Sequence, residues 1–146
     1  MEVFTAEWCA ACCARLNERE SYRAAAAGWH GATVLSMAAD PDRGVATERS
    51  VWLDLEDGAC RGARVADAAD AEGAAYVLRA DPSTWERLLS GELEPVSAVM
   101  TGKLKLTRGN LFALAKHAAA AREMLAAAGE VGGVFPMLRT GPEASA

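Results

Sequence analysis

The chain has 146 residues, 51% of them hydrophobic and 24% charged, with a formal net charge of −5. Its length fits a single domain that can bury a core, and its balance is that of an ordinary globular protein. The acidic excess argues against nucleic acid, whose phosphates are bound by Lys and Arg; the basic residues read as scattered, with no basic stripe.

In chain order, Thr5 is placed to cap a helix whose first turn carries Glu7, an acid at the positive end of the helix dipole. Trp8, Cys12 and Leu16 then recur on one helical face. Asn17-Glu18-Arg19-Glu20 has the reciprocal capping pattern of a second helix, running to a stop at Gly28. Residues 1–31 are thus expected to be helical. Ala32 to Asp40 has strand character, and Asp40-Pro41-Asp42-Arg43-Gly44 is a turn. Ser50 to Glu56 alternates, with Val51, Leu53 and Leu55 on one face and Trp52, Asp54 and Glu56 on the other. Asp57-Gly58 is a hairpin signal, returning through Cys60 to Val65. Ala74 to Ala80 is another strand, with Tyr76, Leu78 and Ala80 on one side.

Asp81-Pro82 opens a helix with apolar face Trp85, Leu88 and Leu89, closed at Gly91. Glu94-Pro95 opens a short helix through Val96, Val99 and Met100. Lys103 to Thr107 is a strand with Leu104 and Leu106 inward. From Asn110 a single long helix carries Leu111, Leu114, Ala115, Ala118, Ala121 and Leu125 at helical spacing, with His117 on its solvated flank. Residues 130–146 form a Gly- and Pro-rich tail in which Val134, Phe135 and Met137 are candidate docking anchors. Segregated strands and helices predict an α+β domain spanning 1–146, its sheet covered mainly on one face.

The stretch Trp8-Cys9-Ala10-Ala11-Cys12-Cys13 raises thiol–disulfide chemistry, because a helix N-terminus can stabilise a thiolate. The parallel unit that should follow Cys9-x-x-Cys12 in a thiol oxidoreductase is replaced by consecutive antiparallel strands. Burial on a helix face is the simpler reading. Zinc would need four ligands from Cys9, Cys12, Cys13, Cys60 and His30, and no second pair has a finger-like spacing. No nucleophile elbow or phosphate loop is present; Gly102-Lys103 is followed by Leu104. No catalytic set, metal or cofactor is expected. No apolar run reaches the roughly eighteen residues of a membrane helix. The opening residues lack a secretory layout, so cytoplasm is the expected location.

Thr84 to Ala121, TWERLLSGELEPVSAVMTGKLKLTRGNLFALAKHAAAA, resembles the signature half of the sterol carrier protein type-two, or non-specific lipid-transfer, family. The resemblance rests on the order and spacing of Trp85, Leu88, Leu89, Gly91, Glu94, Val99, Met100, Gly102, Leu104, Leu106, Gly109 and Asn110. The upstream VWLDLEDGACRGA is similar to that family's central hairpin. The long N-terminal extension and its cysteines are similar to the stand-alone bacterial branch.

The resemblance implies a mixed, largely antiparallel five-stranded sheet packed by helices around an apolar tunnel. It also implies non-covalent binding and transfer of a lipid or fatty acyl ligand. On this reading the tunnel is lined by Leu78, Trp85, Leu88, Leu89, Val96, Met100, Leu104, Leu111, Leu114, Ala118 and Leu125. Met37, Met100, Met124 and Met137 would supply adaptable packing, and Phe135 and Met137 would close the mouth. Transient membrane contact and oligomerisation are compatible with this reading. The alternatives are a thiol–disulfide oxidoreductase using Cys9 and Cys12, or a ligand-free dimerisation module.

Overall fold

The computed structural model describes residues 1–135. Its helices are α1 (Ala6–Glu18), α2 (Glu20–Ala25), α3 (Ala68–Gly73), α4 (Pro82–Leu89), α5 (Pro95–Met100), α6 (Leu111–Lys116) and α7 (Ala118–Val131). Its strands are β1 (His30–Met37), β2 (Arg49–Glu56), β3 (Ala59–Val65), β4 (Tyr76–Ala80) and β5 (Lys105–Arg108). They form one mixed sheet in the order β3-β2-β1-β4-β5. The β1–β4 pair is parallel and the other pairs are antiparallel.

The local chemistry follows the expected rules. Thr5 accepts a hydrogen bond from the Trp8 amide and caps α1. Asp57 and Gly58 both take positive φ, the combination a tight two-residue hairpin requires. Asp81 caps α4 through the Thr84 amide, and Asn110 caps α6 through Phe112 and Ala113.

Two expectations are corrected, and one element is added. Asn17 caps nothing: α1 continues through Glu18, and the Asn17 side chain reaches across to β3. It donates to the Cys60 carbonyl and accepts from the Cys60 amide, each at 2.8 Å. A backbone partner in another element outcompetes the local cap. Next, the helix beginning after Asn110 is two helices. His117 breaks it with φ −106° and ψ 32°. Its ring turns inward to lie 5.7 Å from the Trp29 ring rather than on a solvated flank. Finally, α3 is a helix that periodicity does not announce. Asp67 and Asp70 form a capping box at its start, and Asp70 also holds Arg64 from β3.

The main core lies between one sheet face and α1, α2, α4 and α7. Leu35 and Met37 of β1, Val51, Leu53 and Leu55 of β2, and Leu78 of β4 face it. Phe4 sits between Trp8 and Trp85, its ring centroid 5.2 and 5.3 Å from theirs. The Trp85 indole N–H donates to the Ser36 carbonyl at 2.9 Å in a fully buried bond, tying α4 to the central strand. Four of the seven alanines of α7, Ala120, Ala121, Ala127 and Ala128, are buried. Small side chains let this helix approach closely, and Gly129 meets the Leu89 carbonyl directly. A Cβ there would lie 2.0 Å from that oxygen. The chain then passes Gly132, whose carbonyl accepts the Trp8 indole N–H. Val134 bridges to the N-terminal residues, and Phe135 is buried in the same core. Met137 lies outside the described residues.

Gly129→Ala forces a methyl into backbone. It is expected to destabilise the fold by about 1–3 kcal/mol, the usual range for overpacking, read as a lower urea midpoint. Met100→Ala, at an exposed position, is expected to change stability by less than about 0.5 kcal/mol.

Candidate functional site

The fold sorts the residues predicted to line a tunnel into three groups. Leu78, Trp85, Leu88, Leu104, Leu114 and Leu125 meet in the main core. Leu89 and Val96 pack on its margin, and Ala118 is half-buried. Met100 and Leu111 do not join them; they are 73% and 38% exposed. The six residues of the first group are at most 2% accessible, so they are buried together in the main core. Met37 and Met124 are buried within it as well.

An open volume lies across the sheet. The second sheet face carries Val34 and Ser36 of β1, Ser50 of β2 and Val77 and Arg79 of β4, alternate residues to those facing the core. Among the described helices, the short α3 packs there, in a small cluster with Val34, Ala74 and Val77. Between this face, the Val65–Ala68 turn and Phe4–Ala6 is a cavity of about 650 Å³, within the range of small-molecule sites. None of the eleven residues predicted for the tunnel lines it.

Its floor is apolar, from Val34, Val77, Val65, Ala66 and Ala71. Its rim is polar at one end. Arg79 donates to the Ser36 hydroxyl at 3.3 Å and pairs with Glu48. The Ser50 hydroxyl donates to Ser36 at 3.0 Å. Arg49 donates to the Val3 carbonyl and pairs with Glu2 at 2.9 Å. The N-terminus of α1, at Thr5 and Ala6, borders the same rim and adds its positive dipole end. The arrangement can take an alkyl chain on the floor and a hydrogen-bond-accepting head at the rim. Sequence reasoning missed these residues because alternation assigned one face to the core and left the other to solvent. The Asp67-x-x-Asp70 capping pair was the signal that something covers it.

The cysteines belong to the packing. Cys9, Cys12 and Cys60 are buried, and Cys13 donates from its thiol to the Cys60 carbonyl at 3.4 Å. Burial pushes the Cys9 thiol up to about 11. Burial, with repulsion from Cys9 and Cys13, pushes Cys12 up to about 12. Burial raises Cys60 too. An attacking thiol needs the opposite shift. Among the described residues no group of three His, Cys, Asp or Glu side chains is placed to hold a metal ion. No described helix is long and apolar enough to cross a membrane.

A mixed sheet with helices on one face and a partly apolar cavity on the other leaves room for a small molecule. The model of the SCP-2 sterol transfer family matches residues 11–122, and the chain belongs to that family. Membership supports lipid binding and transfer as its activity. A crystal structure of sterol carrier protein 2 is 44% identical, with a TM-score of 0.80, over 90% of this chain and 100% of that one. The solution structure of a conserved hypothetical protein from Thermus thermophilus, put forward as a sterol carrier protein, is also 44% identical. It covers 92% of each chain with a TM-score of 0.80. The apo form of sterol carrier protein 2 from Yarrowia lipolytica is 20% identical with a TM-score of 0.57, over 82% of this chain and 87% of that one. That likeness is one of fold. Comparison with curated proteins gave no match.

With a pKa near 11, about one Cys9 in ten thousand is a thiolate at pH 7. Cys9 and Cys12 are therefore expected to resist iodoacetamide in the folded protein and to react once it is unfolded, as read by mass spectrometry. Because the folded state holds these protons more tightly, their contribution to stability is complete below the ordinary thiol value of 9.0. It is lost as pH rises through about 11 to 12. The urea midpoint should fall over that alkaline range and not between pH 6 and 8.

Proposed function

We propose that this chain is a cytoplasmic, non-catalytic lipid carrier whose ligand is a fatty acyl lipid. The alkyl chain lies in the cavity between the second sheet face and α3, with its head at the Arg49–Arg79 end. The observation that carries this reading is a preformed cavity of about 650 Å³ whose lining combines Val34, Val65, Val77 and alanines with the cations Arg49 and Arg79. Burying one methylene is worth about 0.8 kcal/mol against water, so a chain of about fifteen carbons gains roughly 12 kcal/mol if fully enclosed. Against a bilayer the gain is small, because the chain already sits in hydrocarbon. That near-balance suits reversible loading and release.

A second reading keeps the ligand in the compartment first singled out by the sequence, lined by Leu78, Trp85, Leu88, Leu89, Val96, Leu104, Leu114, Ala118 and Leu125. It requires the helices to move away from the sheet. One observation favours it. Among the described residues, the Tyr22 hydroxyl, the Trp29 indole N–H and the Thr33 hydroxyl are buried without a partner, where buried polar groups are normally satisfied. Thr33 neighbours Tyr76 in register, Trp29 lies 5.4 Å from the Tyr76 ring, and His117 at the α6–α7 break lies over Trp29. A polar group on an internal guest would meet these atoms.

Titration with a fluorescent fatty acid separates the two readings. Ala71→Phe fills the second-face cavity. Displacing two methylenes costs about 1.6 kcal/mol, so uptake should weaken about tenfold, with circular dichroism unchanged. Thr33→Val should leave uptake intact. The reverse pattern moves the ligand to the interior compartment, and no saturable uptake by the unaltered protein defeats both.

A further inference from the structure

Residues 95–122 contain no Asp or Glu, although the chain as a whole is acidic. They hold Lys103, Lys105, Arg108, Lys116 and Arg122, including every lysine in the protein. Five basic residues there leave ten basic against twenty acidic elsewhere. The stretch therefore carries five positive charges and the rest of the chain ten negative. The basic residues are not evenly scattered after all.

The structure makes this segregation a surface. The stretch builds α5, β5 and α6, and β5 is an edge of the sheet. Lys103, Lys105, Arg108 and Lys116 are exposed. Among the described residues none of these four pairs with a carboxylate; Arg108 donates to the Ala74 carbonyl. Elsewhere Arg15, Arg19, Arg49, Arg61, Arg64, Arg79 and Arg87 all have carboxylate partners. The same stretch carries Met100, Leu111 and Phe112, the last 84% exposed. They flank β5, with Met100 before it and Leu111 and Phe112 after it. A lysine on an edge strand is a common guard against strand pairing. That role does not account for adding exposed Met and Phe beside it, which promotes association.

We propose that the β5 edge, with the end of α5 and the start of α6, is a docking face for an anionic phospholipid bilayer. The unpaired cations meet the lipid phosphates, and Phe112, Leu111 and Met100 enter the acyl boundary, the division of labour of an interfacial anchor. Charge decides the occupant: a second copy presenting the same edge would bring like charges together, whereas an anionic surface is attracted. Thr107, between Lys105 and Arg108, lines the cavity on the second sheet face, so docking would bring the cavity toward the membrane. The inference rests on the carrier reading only for that consequence.

The test is co-sedimentation of the full chain with vesicles of phosphatidylcholine alone or with about a third phosphatidylglycerol. Binding is expected to the anionic vesicles and to fall with added salt, as surface electrostatics are screened. Lys103→Ala/Lys105→Ala and Phe112→Ala should each weaken it by about tenfold or more. Arg23→Ala, an exposed cation on α2, should not. Equal binding to both vesicle types, no binding to either, or equal loss with Arg23→Ala would overturn the proposal. So would a dimer that Phe112→Ala dissociates without any vesicle binding. Uptake of fluorescent fatty acid from solution needs no docking. Phe112→Ala should retain it, and its loss in the unaltered protein alone would sink the carrier reading while leaving the docking result to stand.

Discussion

The rest of the structure depends on β1 being buried on both faces. It is the central strand, between β2 and β4, and alternate side chains go to opposite sides. Leu35 and Met37 go to the main core, while Val34 and Ser36 go to the second face. Ser36 joins the two. Its carbonyl takes the Trp85 indole N–H from the core side, and its hydroxyl meets Arg79 and Ser50 on the other. A five-stranded sheet offers two faces, and the helices divide themselves unequally between them. Helices α1, α2, α4 and α7 fill one side, while among the described helices the six residues of α3 pack on the other.

That inequality locates the open space. On the main side, Phe4, Trp8 and Trp85 interlock and the buried alanines of α7 bring its backbone close. The cysteines at the start of the chain are part of this packing. Burial raises both Cys9 and Cys12. On the second face, Val34 and Val77 are buried beside the short α3, and the cavity lies against them.

The chain also separates its charges. Acid dominates by count, yet the β5 edge and its flanks are wholly basic among charged residues, with large apolar side chains beside the cations. A net charge describes solubility and long-range encounter; it conceals a local field of opposite sign. A surface that meets the β5 edge meets that local field before the total.

The sequence alone determined the parts whose physics is local. Capping by Thr5, Asp81 and Asn110, the Asp57-Gly58 turn and the alternation of Val51, Leu53 and Leu55 each depend on neighbours a few residues away. The spacing from Trp85 to Asn110 carried the family. The tertiary structure alone decided what long-range contacts control. Asn17 gave up its cap for the Cys60 backbone, His117 broke a helix to reach Trp29, and Met100 and Leu111 turned outward despite their apolar spacing. Only the assembled sheet could show which face is filled and which is open. Periodicity tells which residues share a face, but the volume left above that face depends on how many helices, from how far along the chain, arrive to cover it.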